Sequence, residues 1–412
     1  MKVLIADKFE SWGLDELRAA GFEVVCDPGL NGSALRDALI QTRAAVLIVR
    51  STEVTADMFE ASPHLGLVIR AGAGFNTIDV GAASQCGVYV ANCPGKNAVA
   101  VAELTFALIL ALDRRIVENV IDLRQGRWNK KEYSQARGLK GRTLGVIGLG
   151  QIGRAVVQRA LSFEMKVIAW SRSLTAEQSD ELSIVRCETP GQVAGNCDIL
   201  TVHVAMTPDT RSIIDAAVLE RLQPGSYFIN TSRAEVVDYS ALEKAVRERG
   251  IRVGLDVYPD EPESGQAAFH ASIMNAGVVY GTHHIGASTD QAQNAIAAET
   301  IRIVRTFAAT GQVPNGLNIE TQAPASCQLV VRHYDKVGVL AAVLDHLRRA
   351  NINVGAMTNS PFQGGKTAVA AIRLNQPIPA PVLQAIAGMK DLVIQAEVKE
   401  IGPVGPKGPS LP

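Results

Sequence analysis

Three ionisable side chains that follow predicted strands suit one kind of chemistry. They are Arg233, Glu261 and His284. In open α/β sheets, ligands bind beyond the carboxyl ends of the strands. A histidine can take a hydroxyl proton near neutral pH, a guanidinium can hold a carboxylate through two parallel bonds, and a carboxylate beside the imidazole would fix its tautomer. The residue types alone leave a second interpretation open, in which all three are ordinary exposed loop charges.

A glycine-rich turn supplies a second candidate site. Gly148, Gly150 and Gly153 form a G-x-G-x-x-G pattern with Gln151 and Ile152, after a predicted strand and at the start of a predicted helix. Such glycines permit a tight turn and let the backbone approach a pyrophosphate, while the helix N-terminus supplies partial positive charge. A glycine-rich turn with a purely structural role is the other interpretation. The position of this turn between a predicted strand and a predicted helix favours a dinucleotide site.

The end of the next strand bears on which dinucleotide is bound. An acid usually stands there and binds the ribose 2′-hydroxyl of NAD, but this chain has Ser171. Because this position lacks a carboxylate, nothing here would repel a 2′-phosphate, and Arg172 would attract one. NADP is therefore retained beside NAD as a candidate cofactor. Arg172 as a solvated loop charge is the other interpretation.

Length and composition limit the classes of protein. A chain of 412 residues is too long for one core and predicts two or three domains. With 40 basic and 41 acidic residues, no net field draws it to nucleic acid or a membrane, so a small-molecule partner is expected. The six cysteines show no C-x-x-C pair and no zinc spacing, which predicts reduced thiols and no metal site. The N-terminal stretch Met1–Asp7 is interrupted by a carboxylate and is expected to be a first strand and not a secretion signal, which predicts a cytoplasmic location.

The elements that must position these residues form two α/β units. Val/Ile-rich runs alternate with helical segments from residue 2 to about 92, and again from 143 to 280. This alternation predicts two doubly wound parallel sheets. A long Ala-rich helix, about 291–310, would return the chain to the first unit. After a Pro/Gly/Asn-rich linker, residues 326–400 read βαββαβ, a ferredoxin-like arrangement, and 401–412 are expected to be disordered.

The stretches Asn230–Arg233, Asp256–Pro262 and His284–Thr289 resemble those of the D-isomer-specific 2-hydroxyacid dehydrogenases, over residues 1–318. The resemblance implies that Arg233, Glu261 and His284 are the catalytic set. It also implies a discontinuous substrate domain, 1–98 plus 289–318, around a nucleotide domain at 99–288. His283 replaces the usual proline, and His284 is chosen over it because His284 precedes Ile-Gly.

Further residues take roles from the same resemblance, which is strongest to the D-3-phosphoglycerate dehydrogenases. Ala73 and Gly74 would hold the substrate carboxylate, and Arg50 would contact the phosphate end; Arg233 and His284 also contact substrate. Arg50 as a strand-end charge is the alternative. The implied cofactor contacts are Gly148, Gly150, Gln151, Ile152, Gly153, Ser171, Arg172, His203, Thr231 and Asp256.

The C-terminal unit resembles an ACT domain, a small-ligand sensor. The resemblance implies an amino-acid effector such as serine, bound near His333, Asp335 and Asn353, and a homo-oligomer. Asp335 and Val337 differ from the expected serine-binding pattern, which leaves the effector open.

The function expected from the resemblance is oxidation of D-3-phosphoglycerate to 3-phosphohydroxypyruvate with NAD, in serine biosynthesis. An NADPH-dependent glyoxylate or hydroxypyruvate reductase is the alternative, prompted by Ser171 and Arg172. A third hypothesis is a dinucleotide-sensing, corepressor-like binding protein, but no basic tract favours it.

Overall fold

A computed structural model describes residues 1–262, 266–320 and 325–401 of the chain. The chain divides into two compact units, the first spanning Met1–Asn318 and the second beginning at Ile319. None of the helices in the described ranges combines the length and apolarity that a bilayer crossing needs. The predicted disordered tail lies outside the described residues, apart from Ile401.

The first unit contains a five-stranded parallel sheet in the order β2-β1-β3-β4-β5. Apart from the partly exposed edge strand β2, its strands are short apolar runs buried on both faces, as expected for a parallel sheet covered by helices. The strands are β1 (Lys2–Ile5), β2 (Glu23–Cys26), β3 (Val46–Val49), β4 (Leu67–Arg70) and β5 (Tyr89–Asn92); the helices between them are α1 (Ser11–Ala19), α2 (Gly32–Thr42), α3 (Ala56–Glu60) and α4 (Val80–Gln85).

A seven-stranded parallel sheet follows, in the order β12-β11-β10-β9-β6-β7-β8. Its strands are β6 (Thr143–Ile147), β7 (Lys166–Trp170), β8 (Val185–Arg186), β9 (Ile199–Val202), β10 (Tyr227–Asn230), β11 (Arg252–Leu255) and β12 (Val279–Gly281). Its helices are α5 (Ala98–Arg114), α6 (Ile116–Arg124), α7 (Lys130–Tyr133), α8 (Gln151–Ser162), α9 (Ala176–Glu181), α10 (Pro190–Gly195), α11 (Ala216–Leu219) and α12 (Tyr239–Arg249). The two-residue β8 is too short to give a sequence signal.

Helix α13 (Asp290–Thr310) closes the first unit by returning to the first sheet. Thr289 caps its N-terminus by accepting from the amide of Ala292, and Gly311 ends it in the left-handed conformation. Its apolar face, including Ile301 and Val304, packs with Val3 and other strand residues in one buried cluster. The chain thus crosses between the two sheets twice, before α5 and before α13.

The second unit is a four-stranded antiparallel sheet in the order β14-β15-β13-β16. Its strands are β13 (Cys327–Tyr334), β14 (Val354–Pro361), β15 (Thr367–Leu374) and β16 (Val393–Glu400), with helices α14 (Val339–Arg349) and α15 (Ala380–Gly388). Strict alternation of buried and half-buried residues along β15 shows that the helices cover one face of the sheet. This is the predicted βαββαβ order.

Candidate functional site

His284 and Glu261 lie in hydrogen-bond contact beyond the ends of β12 and β11. His284 Nδ1 is 2.6 Å from Glu261 Oε2. A carboxylate can only accept, so the Nδ1 proton is held by Glu261 and Nε2 is the nitrogen left to accept a proton. Glu261 is itself oriented, because its Oε1 accepts from the amide of Tyr258 at 2.8 Å.

The surroundings of Glu261 favour its ionised form. Partial burial alone would raise its pKa, but the hydrogen bonds from His284 and Tyr258 outweigh burial, and the charge of Arg233 adds to them. The pKa of Glu261 is therefore lowered. A carboxylate that stays ionised can hold the imidazole in one orientation and stabilise its charged form.

Asp256 fixes the loop that carries His284. Its buried carboxylate accepts from the amides of Ile285 and Gly286, each at 2.8 Å, and from the Thr282 hydroxyl at 2.6 Å. His284 adopts a positive φ of 51°, which few residues other than glycine tolerate. The clamp by Asp256 supports this backbone conformation and so sets where the imidazole projects.

Arg233 reaches from the second sheet to the first. It follows β10, where Asn230 orders the turn by donating to the Arg233 carbonyl at 2.9 Å and accepting from Ser232. The guanidinium lies directly over Gly74, since a Cβ at Gly74 would come within 2.3 Å of Arg233 Nη2. A side chain at Gly74 would displace the Arg233 guanidinium, so the predicted carboxylate-binding loop and Arg233 are in contact.

Arg70, at the end of β4, is a candidate that the sequence reasoning did not select. Within the described ranges it makes no ion pair, and its buried Nε has no hydrogen-bond partner. Burial, together with the charges of Arg233 and Arg50, lowers the pKa of Arg70 to about 10. Its place at a strand end, just before the Ala71–Asp79 stretch, is the signal that could have identified it. A cation whose buried Nε has no protein partner is suited to bind an anionic ligand.

These side chains line one cleft of about 1340 Å³. Of the predicted catalytic and substrate-binding residues, Arg233, Glu261, His284 and Gly74 line it, and Arg70 joins them. Arg50 and Ala73 are not on the described part of its wall. The amides of Arg50, Ser51 and Thr52 instead bind Asp7, and the Ala73 carbonyl accepts from Asn92.

The predicted dinucleotide loop has the shape that a pyrophosphate requires. A Cβ at Gly148 would lie 2.5 Å from the carbonyl of His203, and one at Gly153 would lie 2.0 Å from the Gly148 carbonyl, so both must be glycine. A Cβ at Gly150 would meet nothing within 4 Å, and no side chain caps the helix that begins at Gln151. Open space over uncapped amides fits a phosphate.

The remaining predicted cofactor contacts surround this loop. Gln151 is exposed and lies against Gly95, while Ile152 packs on the core of the second sheet. Thr231 is buried, with its hydroxyl 3.0 Å from that of Thr105. His203 is also buried, which lowers its pKa to about 3, and its Nδ1 lacks a partner.

Ser171 and Arg172 follow β7 directly. Arg172 Nη1 lies 3.2 Å from Asp209 Oδ2 in an exposed ion pair. The predicted attraction of Arg172 for a 2′-phosphate thus meets a competing carboxylate, which the sequence reasoning did not include.

In the second unit, the three predicted effector contacts differ in access. His333 is buried, with Nδ1 2.8 Å from the Tyr334 carbonyl and Nε2 3.0 Å from Asn359 Oδ1. Asp335 and Asn353 are exposed. Both ring nitrogens of His333 are occupied, so Asp335 and Asn353 are the residues open to a ligand. In the described ranges, no cluster of three or more His, Cys, Asp or Glu side chains is arranged to hold a metal.

Comparisons with known proteins identify the family of this chain. The model of the D-isomer specific 2-hydroxyacid dehydrogenase NAD-binding domain matches residues 106–286. The hydroxypyruvate reductase of Thermotoga maritima is 38% identical over 258 residues, covering 62% of this chain and 82% of that protein. The chain belongs to the D-isomer-specific 2-hydroxyacid dehydrogenase family. This confirms the predicted resemblance, fold class and NAD as cofactor.

One further relative and one solved structure are also similar to this chain. The D-3-phosphoglycerate dehydrogenase of Methanocaldococcus jannaschii is 35% identical over 309 residues, 74% of this chain but only 57% of that protein. The solved structure of an acyclic imino acid reductase in complex with NADPH and D-Arg is 26% identical, with a TM-score of 0.68, and covers 77% of this chain and all of that one. The family therefore includes relatives with different substrates.

Proposed function

We propose that this family member is an NAD-dependent dehydrogenase that oxidises D-3-phosphoglycerate to 3-phosphohydroxypyruvate, a step of serine biosynthesis. The observation that carries the proposal is the meeting, in one cleft, of the His284–Glu261 pair with the cations Arg70 and Arg233. Bound NAD supplies the hydride acceptor for oxidation at C2. Gly148, Gly150 and Gly153 would hold its pyrophosphate by their backbone.

The proton of the C2 hydroxyl goes to Nε2 of His284. This nitrogen is free to accept because Nδ1 is bonded to Glu261 at 2.6 Å. As the imidazole becomes charged, the ionised Glu261 stabilises it at no cost of reorganisation, since it is already oriented by the amide of Tyr258. In the reverse direction the same Nε2 returns the proton to the keto oxygen.

Phosphoglycerate carries two anionic groups, and the cleft offers the guanidinium groups of Arg70 and Arg233, neither of which forms an ion pair with a described residue. Arg233, which reaches Gly74, is suited to the C1 carboxylate beside the reacting carbon. Arg70 is suited to the phosphate, because its buried Nε lacks a partner and its charge is opposed by Arg233 and Arg50. Binding a dianion there would relieve that repulsion. Arg50 contributes charge at longer range.

A spectrophotometric assay tests the proposal. Purified protein is given D-3-phosphoglycerate with NAD⁺, and glyoxylate or hydroxypyruvate with NADH and NADPH, while absorbance of the reduced nicotinamide is followed. NAD⁺ reduction with phosphoglycerate at a kcat/KM above that for the unphosphorylated acids supports the proposal. No NAD⁺ reduction with saturating phosphoglycerate would exclude it.

A reductase acting on hydroxypyruvate or glyoxylate is the second candidate. It is favoured by the relative from Thermotoga maritima, 82% of whose length is covered, against 57% for the phosphoglycerate dehydrogenase. In the same assay, turnover of the smaller keto acids that exceeds turnover of the phosphorylated pair would select it.

We also propose that the second unit, residues 326–400, is a regulatory domain that takes an amino acid, and that the protein is a homo-oligomer. Exposed residues along the edge strand β14 leave its backbone groups free to pair with another chain. The polar side chains of Asp335 and Asn353 are open to a small ligand. Light scattering after gel filtration measures the mass, and serine titrated into the assay tests inhibition; a monomeric mass, or activity unchanged by serine, would contradict the respective part.

A further inference from the structure

An exposed ion pair spans the dinucleotide loop. Arg172 follows β7 and Asp209 lies in the turn after β9, yet their side chains are 3.2 Å apart. The sheet order places β6 between β9 and β7. The loops after β7 and β9 therefore flank the loop after β6, which carries Gly148–Gly153, and the ion pair joins them.

The Arg172–Asp209 pair lies near the position where the adenosine ribose of the cofactor is expected. The residue after the second strand of such a unit is the one that faces the adenosine ribose, and Ser171 stands there. Ser171 neither repels a 2′-phosphate nor competes for it. A free Arg172 beside it would favour NADP, because a guanidinium binds phosphate through two parallel bonds.

Asp209 changes that balance in two ways. Its charge cancels that of Arg172, so a phosphate meets a neutral pair in place of a lone cation. It also occupies Nη1, one of the groups that a phosphate would use. The next arginine along this edge, Arg186, is likewise paired, with Glu188 at 2.9 Å.

We propose that Asp209 is a specificity-determining residue that makes the protein prefer NAD, by holding Arg172 away from a 2′-phosphate and supplying the negative charge that Ser171 lacks. The inference deepens the proposed function, since it concerns the cofactor of the same site. It assigns the discrimination to a residue on a different strand loop from the usual ribose acid.

Calorimetric titration of the full-length protein with NAD⁺ and with NADP⁺ tests this, with no substrate present. In Asp209→Asn the charge is lost but the shape is kept, and we expect NADP⁺ affinity to rise about two- to fivefold, as for an exposed charge interaction, with NAD⁺ affinity nearly unchanged. The gain should shrink in 0.5 M salt, because exposed charges are screened. Asp345→Asn is the matched control, because Asp345 is also exposed and bonded to an arginine, Arg348, at 2.8 Å.

The double variant Arg172→Ala, Asp209→Asn separates the two residues. If Arg172 is the group released, the NADP⁺ gain disappears in the double variant. An unchanged NADP⁺ to NAD⁺ ratio in Asp209→Asn, a gain that survives without Arg172, an equal gain in Asp345→Asn, or NADP⁺ binding undetectable in every variant would each overturn the proposal. Binding is measured without turnover, so a failed dehydrogenase assay and a failed selectivity shift are distinct results.

Discussion

An arginine at the amino edge of one sheet and an arginine at the carboxyl edge of the other sheet are treated in opposite ways by this protein. Arg142 precedes β6 at the amino edge of the second sheet, pairs with buried Asp113 at 3.2 Å and lies over the ring of Tyr227. Arg70 ends β4 at the carboxyl edge of the first sheet and has no carboxylate partner in the described ranges. Arg142 is buried, whereas Arg70 is half-buried and its Nε atom is buried.

The difference separates structure from function. Asp113 also accepts from the Gly138 amide and the Tyr227 hydroxyl, so this ion pair holds several segments together. The Nε of Arg142, like that of Arg70, has no hydrogen-bond partner among the described residues, so the counter-charge is what distinguishes the two arginines. Arg70 faces like charges, Arg233 and Arg50, and the more distant charge of Asp7 offsets the cost of its burial only in part. A half-buried charge that is left unpaired at the carboxyl edge indicates a ligand that completes it.

The largest effect expected at the carboxyl edge is on turnover. His284→Ala should lower kcat about 10²- to 10⁴-fold, because the group that takes the proton is lost. The unfolding midpoint should change little, since the side chain is exposed. His283→Ala is the control, being the adjacent and equally exposed histidine; a loss of kcat in His283→Ala as large as in His284→Ala would show that the wrong histidine has been assigned.

At the amino edge the expected effect is on stability. Asp113→Asn leaves the buried Arg142 without its counter-charge and should lower the free energy of unfolding by about 3–5 kcal/mol. Urea unfolding measures it. A smaller loss, under about 1 kcal/mol, would mean that this pair is not the structural contact that distinguishes the two edges.

Replacing Arg70 should affect substrate binding and leave stability unchanged, the reverse of the effect expected for Asp113→Asn. Arg70→Met is expected to raise KM for phosphoglycerate about 10- to 100-fold, the value of a hydrogen bond to a charged group, while stability stays equal or increases. Steady-state kinetics and urea unfolding on the same sample check both. Arg70→Lys keeps a cation and should lose less. If Arg70→Met lowered the free energy of unfolding as much as Asp113→Asn, Arg70 would have a structural role like that of Arg142, and the two edges would not differ.

The buried carboxylate of Glu299 tests through pH whether a paired charge stabilises the fold. Glu299 on α13 bonds Arg302 and Asn315 and lies 3.4 Å from Lys96; these partners lower its pKa to about 2. Its pKa is lowered in the folded state, so its stabilisation is complete above the ordinary pKa near 4.5 and is lost as pH falls toward 2. Glu299→Gln should therefore cost about 1–3 kcal/mol at pH 7 and less at pH 3. A pH-independent difference would contradict this.

Much of the site could be predicted because its residues sit in short local patterns. The glycine turn at Gly148–Gly153 and the strand-end residues Arg233, Glu261 and His284 follow from strand–turn–helix spacing, and their roles remain predictions to be tested by substitution. Arg70 escaped because an arginine at a strand end looks like a surface charge. Only the packing around it shows that its Nε is buried and unpaired.

The sequence by itself determined the class of fold, the family and the dinucleotide loop. Alternating hydrophobic runs and glycine positions are local, since each follows from the conformations that a few consecutive residues can adopt. Tertiary structure alone decided which charges are paired. Asp209 and Arg172 are 37 residues apart and Arg142 and Asp113 are 29 apart. Whether a distant carboxylate reaches an arginine depends on strand order and loop paths, and no local pattern encodes that distance.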